Sequence, residues 1–107
     1  YDLTHNLENI VYNELIYMDY ELKVLKKDDD DKEIDFIAYK DGKKYYIQVA
    51  YSVADDKAYE REFGAFEKLD NSSKKILITN DDIDYSTSLV KHLKFKDFLL
   101  FDSLDDC

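Results

Sequence analysis

A chain of 107 residues with 25 Asp and Glu against 15 Lys and Arg carries a net charge of −10, spread along its length, and is the size of one domain able to bury a core. That balance argues against a broad basic face that grips a nucleic-acid duplex, though not against a metal-centred phosphodiester site in which bound cations offset carboxylates. Cys107 has no partner for an internal disulfide, no apolar run approaches the ~20 residues of a membrane span and no signal peptide is visible, so a cytoplasmic protein is expected.

The chain begins at Tyr1 and its one methionine is Met18, so a fragment of a longer protein is expected, with residues 1–107 forming a single domain. Leu7, Ile10, Val11, Leu15, Tyr17 and Met18 recur at helical spacing and predict an amphipathic helix over about 6–19, with Thr4 or Asn6 as N-cap. Leu22 and Val24 alternate with polar neighbours and predict a strand at about 21–26. The run Lys27-Asp28-Asp29-Asp30-Asp31-Lys32 lacks the glycine and distal glutamate of a calcium loop and reads as a solvated hairpin loop.

Two β-rich runs, 33–40 and 43–51, flank Asp41-Gly42, a strong signal for a type I′ hairpin turn. Counting outward from that turn sets Lys40 opposite Lys43, Phe36 opposite Ile47 and Asp35 opposite Gln48. Ile34, Phe36, Ala38, Tyr45, Ile47, Val49 and Tyr51 then share an apolar face, while Glu33, Asp35, Ile37, Tyr39, Lys44, Tyr46, Gln48 and Ala50 share the other. Asp55 and Asp56 open a helix over about 55–69, striped by Ala58, Tyr59, Phe63, Phe66 and Leu69. Lys75 to Thr79 is a short apolar run that suits a strand buried on both faces. An acidic loop at 80–84, a strand near 90–93, a short helix near 95–101 and a fraying tail at 102–107 complete the reading.

Three meander strands need only tight loops, whereas reaching a parallel neighbour needs a crossover, which the 55–69 helix supplies. The expected fold is α/β: an α-β-β-β-α-β order with a mixed central sheet between helical layers. This order resembles the core of the PD-(D/E)XK nuclease-like superfamily, the three-layer α/β/α restriction-endonuclease-like fold. More closely, the segments Leu7–Leu15, Glu33–Ala38, Tyr46–Tyr51 and Glu60–Phe63 resemble the C-terminal domain of unknown function that follows AAA+-type ATPase modules in many bacteria and archaea. The resemblance spans roughly residues 5–80 and implies an upstream ATPase module in cis.

The same resemblance implies a site. An active member uses an acid on the first helix, an aspartate on the second meander strand and an acid-x-lysine on the third, holding Mg²⁺ or Mn²⁺ that activates water against DNA or RNA phosphodiesters. Here Glu8 fills the helix position and Asp35 the aspartate position. Gln48 replaces the second acid, keeping an oxygen donor but losing the charge, and Ala50 replaces the lysine. Glu8, Asp35 and Gln48 are therefore the candidate catalytic and metal-ligating set. Arg61, Lys57 or Lys44 would have to stand in for the missing lysine, and Glu33 for a third carboxylate.

Blander readings stand beside these. Asp35 and Gln48 form a hydrogen-bonded cross-strand pair, accepting also from Tyr12 or Tyr46; Glu14 partners Arg61 or a lysine; Glu60-Arg61-Glu62 is a solvated helix face; His5 and His92 lack metal-ligand spacing. Three functions follow: a metal-dependent nuclease-like domain, an inactive interaction or regulatory module of the ATPase, and an acidic mimic of nucleic acid supported by charge alone.

Overall fold

The computed structural model describes residues 3–25 and 34–107. A helix α1 (Leu3–Tyr17) is followed by strands β1 (Glu21–Val24), β2 (Phe36–Lys40) and β3 (Lys43–Val49), helix α2 (Asp56–Glu67), strands β4 (Lys74–Thr79) and β5 (Lys91–Lys94), a one-turn helix α3 (Phe95–Phe98) and a 3₁₀ turn at Leu104–Asp106. The five strands lie in sequence order in one sheet. β1, β2 and β3 pair antiparallel, β3, β4 and β5 parallel, with α2 as the crossover between β3 and β4. The result is the expected mixed sheet in a three-layer α/β/α core.

Each element follows from local chemistry. Val11, Leu15 and Met18 bury one stripe of α1, and the helix stops where Asp19 takes a left-handed φ of 69°. There Tyr20 N–H returns to Leu15 O at 3.0 Å, the long closing bond of a Schellman-type end. Asp55 caps α2 by accepting from Ala58 N–H at 2.9 Å. Asp41 and Gly42 have φ values of 53° and 76°, as a type I′ turn requires. The expected register holds, with Lys40 opposite Lys43 and Phe36 opposite Ile47.

The alternation of β2 and β3 sorts two cores. Toward α1, α3 and the C-terminus, Phe36, Ala38, Tyr45, Ile47 and Val49 pack with Val11, Leu15, Ile76, Ile78, Phe98 and Leu104. Toward α2, Tyr46 and Ala50 pack with Phe63, Phe66, Leu77 and Val90. β4 is buried on both faces from Lys75 to Thr79, as its continuous apolar run implies.

The structure corrects several expectations. α1 starts at Leu3, so Thr4 and Asn6 lie inside it rather than capping it. Ile34 precedes the first residue of β2 and turns to the α2 side instead of joining Phe36, while Tyr51 lies beyond β3 and is half-exposed. The tail does not fray: Leu104 is buried, Tyr45 Oη donates to Asp105 at 2.5 Å, and Leu104 N–H donates to Tyr20 Oη at 2.8 Å. Lys74 Nζ donates to the carbonyl of Leu104 at 3.0 Å and to that of Cys107. The acidic run at 27–32 and Glu33 lie outside the described residues.

A Cβ built on Gly42 meets nothing within 4 Å, so a Gly42→Ala substitution would strain the backbone alone. It should destabilise the domain by about 1–2 kcal/mol, read in urea unfolding as a lower midpoint at unchanged slope.

Candidate functional site

Asp35 and Gln48 face each other where β2 begins, and both are buried. Their contact is an exchange rather than a side-chain pair. Gln48 Oε1 accepts from the backbone N–H of Asp35 at 2.8 Å, and Asp35 Oδ2 accepts from the backbone N–H of Val49 at 2.9 Å. Asp35 sits in a bend just before the ladder starts, so its N–H has no strand partner and needs an acceptor. One carboxylate oxygen and the amide oxygen are thereby occupied as backbone acceptors. Tyr46, a suggested third partner, donates instead to Asp70 Oδ1 at 2.5 Å, and Tyr12 rests its ring against Phe36, 6.0 Å between centroids.

Glu8 lies on the helix that covers the other face. Thr4, one turn before it, accepts from Tyr51 N–H at 3.2 Å, and Tyr12, one turn after, reaches Phe36. Glu8 is half-buried over the same end of the β2–β3 pair as Asp35 and Gln48, approaching from the opposite layer. Ala50 is buried against Phe63 and Leu77 on the α2 side. Among the described residues, no group of three or more His, Cys, Asp and Glu side chains could hold a metal.

The cations proposed to replace the lysine are engaged elsewhere or exposed. Arg61 Nε pairs with Glu62 Oε2 at 3.0 Å rather than with Glu14. Glu62 itself is buried, so Glu60-Arg61-Glu62 is solvated at its first two residues only. Lys44 Nζ lies 3.6 Å from Asp70 Oδ1 and 5.0 Å above the Tyr46 ring, at the start of β3 and away from Gln48. Lys57 is exposed. Hydrogen bonds from Ser72 and then Tyr46 hold the Asp70 carboxyl well below the usual range.

Sequence reasoning missed a second polar cluster around the C-terminal end of β4. His92, which lacks metal-ligand spacing to another ligand, is buried on β5. Its Nδ1 accepts from Tyr85 N–H at 3.0 Å, so Nε2 carries the proton and donates to Thr79 Oγ1 at 2.6 Å. Asp84 Oδ1 stands 3.8 Å from Nδ1, but that nitrogen's lone pair is already used, and burial outweighs the carboxylate to hold the ring neutral, its pKa below the ordinary 6.5. Asp81, beside them, accepts from Ser52 Oγ at 2.6 Å and Val53 N–H at 2.8 Å, tying the end of β4 to the entry of α2. The one sequence signal was a histidine between Val90 and Leu93 in a predicted strand, where a buried position demands hydrogen-bond partners.

The family model described as "Domain of unknown function (DUF4143)" matches residues 4–98. An uncharacterized protein of Haemophilus influenzae is 40% identical over 75 residues, which are 70% of this chain and 18% of that protein. The chain thus spans well under two thirds of that relative.

Replacing Asp35 or Gln48 with Ala should each cost about 1–3 kcal/mol, because a buried backbone N–H loses its acceptor. The double substitution should cost less than the sum, since each residue positions the other; chemical denaturation of the three variants measures the coupling. For His92, the unfolded chain takes up a proton near pH 6.5 while the folded ring resists it. Stability is therefore full above that pH and falls below it, by at most about 1.4 kcal/mol per pH unit. Unfolding followed between pH 7 and about 5 should show this slope in the wild type and lose it in His92→Gln.

Proposed function

The chain belongs to the DUF4143 family, and on that premise we propose that it is a restriction-endonuclease-like domain kept as an interaction or regulatory module for an ATPase module in the same polypeptide, not as a nuclease. The observation that carries this reading is the reciprocal exchange between Asp35 and Gln48: the two residues at the nuclease positions serve as backbone acceptors for Asp35 and Val49 N–H. Mg²⁺ and Mn²⁺ at such sites draw on carboxylates and water in near-octahedral geometry. Gln48 brings no charge and its oxygen is engaged, Ala50 supplies no ammonium, and Glu8 comes from the other layer, so in this reading the donor set does not fit either ion. No step of phosphodiester cleavage is assigned to these residues.

The surface supports the interaction side of the proposal. Leu3, Ile10 and Tyr17, spaced by seven residues on one face of α1, are 47%, 37% and 83% exposed, a second apolar strip that the described residues do not cover. The matched Haemophilus influenzae protein is much longer than the shared stretch, which leaves room for another module beside it. Nucleic-acid mimicry has the net charge as its sole support.

Two measurements test the proposal together. Calorimetric titration of Mn²⁺ into wild type and Asp35→Asn should show no saturable binding in either folded protein; binding that disappears in the variant would restore the metal site. The domain should bind the separately produced remainder of a longer DUF4143 protein, and Ile10→Glu with Tyr17→Glu should weaken that binding at least tenfold, about 1.4 kcal/mol. No binding by the wild type would remove the module reading.

A further inference from the structure

The α2 side of the sheet holds a cavity of about 320 Å³ walled by Tyr59, Phe63, Phe66, Leu89 and Val90, with Lys75 and Asn71 also in its lining. Tyr59 and Phe63 stack with centroids 4.2 Å apart and provide a flat aromatic surface. Lys75 and Asn71 also line an adjoining cavity of about 400 Å³ that opens toward Ser72, Ser73 and Ser88. Lys75 thus stands where an apolar chamber meets a hydroxyl-bearing mouth.

Lys75 is unusual for a lysine. It is 3% exposed, on a strand position between Tyr46 of β3 and the β5 side of the sheet. Its Nζ donates to Leu69 O at 3.2 Å and to Asn71 Oδ1 at 2.6 Å, both neutral acceptors. Among the described residues it forms no ion pair. The carboxylate of Asp70 nearby is taken by Tyr46, Ser72 and Lys44, and Glu67, which borders the chamber, is exposed. A buried ammonium without a counter-charge costs stability, and a hydrocarbon of the same length would fit this strand at less cost. An ammonium has three donors, and two are used.

We propose that this cavity binds a small organic monoanion, a free carboxylic acid with a flat apolar or aromatic body. The carboxylate takes the third Nζ donor of Lys75 and the Nδ2 donor of Asn71, whose Oδ1 already accepts from Lys75. The body lies on the Tyr59–Phe63 wall. Lys74 and Lys91 also border the mouth, but Lys74 Nζ is tied to the Leu104 and Cys107 carbonyls and Lys91 is exposed, so the buried charge of Lys75 suits a carboxylate better than a phosphate dianion. The inference does not depend on whether Asp35 and Gln48 are inert, because neither residue lines the chamber or its mouth.

The test titrates the isotope-labelled chain with benzoate and, separately, with its neutral counterpart benzamide, following backbone amide resonances. Saturable shifts at Asn71, Thr87, Leu89 and Val90 are expected with benzoate, with benzamide at least about tenfold weaker, and inorganic phosphate should not displace the acid. Lys75→Met should fold with an unfolding midpoint at or above that of the wild type while losing benzoate binding about tenfold or more. Glu67→Gln should tighten binding by removing a like charge from the rim. Equal binding of benzoate and benzamide, an absence of saturable shifts, or undiminished benzoate binding by Lys75→Met would each overturn the proposal. So would a large loss of stability in Lys75→Met, which would make the ammonium a structural group; the comparison of benzoate with benzamide needs no variant and decides the matter on the wild type.

Discussion

The pairing of β2 with β3 is the constraint on which the rest of the domain depends. Because side chains alternate with a period of two, a slip of one residue would exchange Phe36, Ala38, Tyr45 and Ile47 with Asp35, Ile37, Tyr46 and Gln48 and unmake both cores at once. The pair is pinned at both ends. At one end the positive φ values of Asp41 and Gly42 close a two-residue turn; at the other, Asp35 and Gln48 each satisfy a backbone N–H that the ladder leaves out. β3 then serves as the template for β4, and β4 for β5, so the parallel half of the sheet inherits the register of the hairpin.

This dependence explains which parts of the fold were legible in the sequence. The Asp41-Gly42 signal is local, and counting from it recovers the pairing of β2 with β3. The apolar run of β4 and the acidic entry to α2 are local too. The C-terminal segment is not: Leu104 and Asp105 look like an acidic tail, and they are ordered by Tyr20, Tyr45 and Lys74, contributed by three other parts of the chain. Ile34 failed for the opposite reason. Its parity was counted as if the strand continued, but the bend at Asp35 breaks the alternation one residue early.

The juxtaposition of Asp35 and Gln48 was legible in the sequence, and the backbone N–H groups that their oxygens meet were not. The register brings Asp35 and Gln48 together, but a two-residue period says which face a side chain occupies and nothing about whether its oxygens meet a cation or a backbone N–H. The decisive fact is that β2 begins at Phe36, so the Asp35 N–H falls outside the ladder, and no composition or spacing reveals that. His92 was hidden similarly: its partners are Thr79 on the neighbouring strand and an N–H seven residues back in an irregular loop.

Asp35, Glu62, His92 and Lys75 are all buried and all ionisable, yet they do not raise the same question. His92 is kept neutral by a backbone donor on one nitrogen and a hydroxyl acceptor on the other, so it costs little to bury. Asp35 has a backbone N–H as a fixed hydrogen-bond donor, which is how a carboxylate is stabilised at a strand entry. Lys75 has two neutral acceptors and a chamber beside it, an arrangement that stabilises the ammonium less than a carboxylate would. A fold that needed only to be stable would put a hydrocarbon at that position, between Leu77 and the aromatic face of α2. The carboxylate that the nuclease-like resemblance singles out, Asp35, accepts from a backbone N–H. The charge that meets only neutral acceptors lies on a strand where the resemblance assigns nothing, and there the physical case for a ligand is stronger than at the positions the resemblance implies.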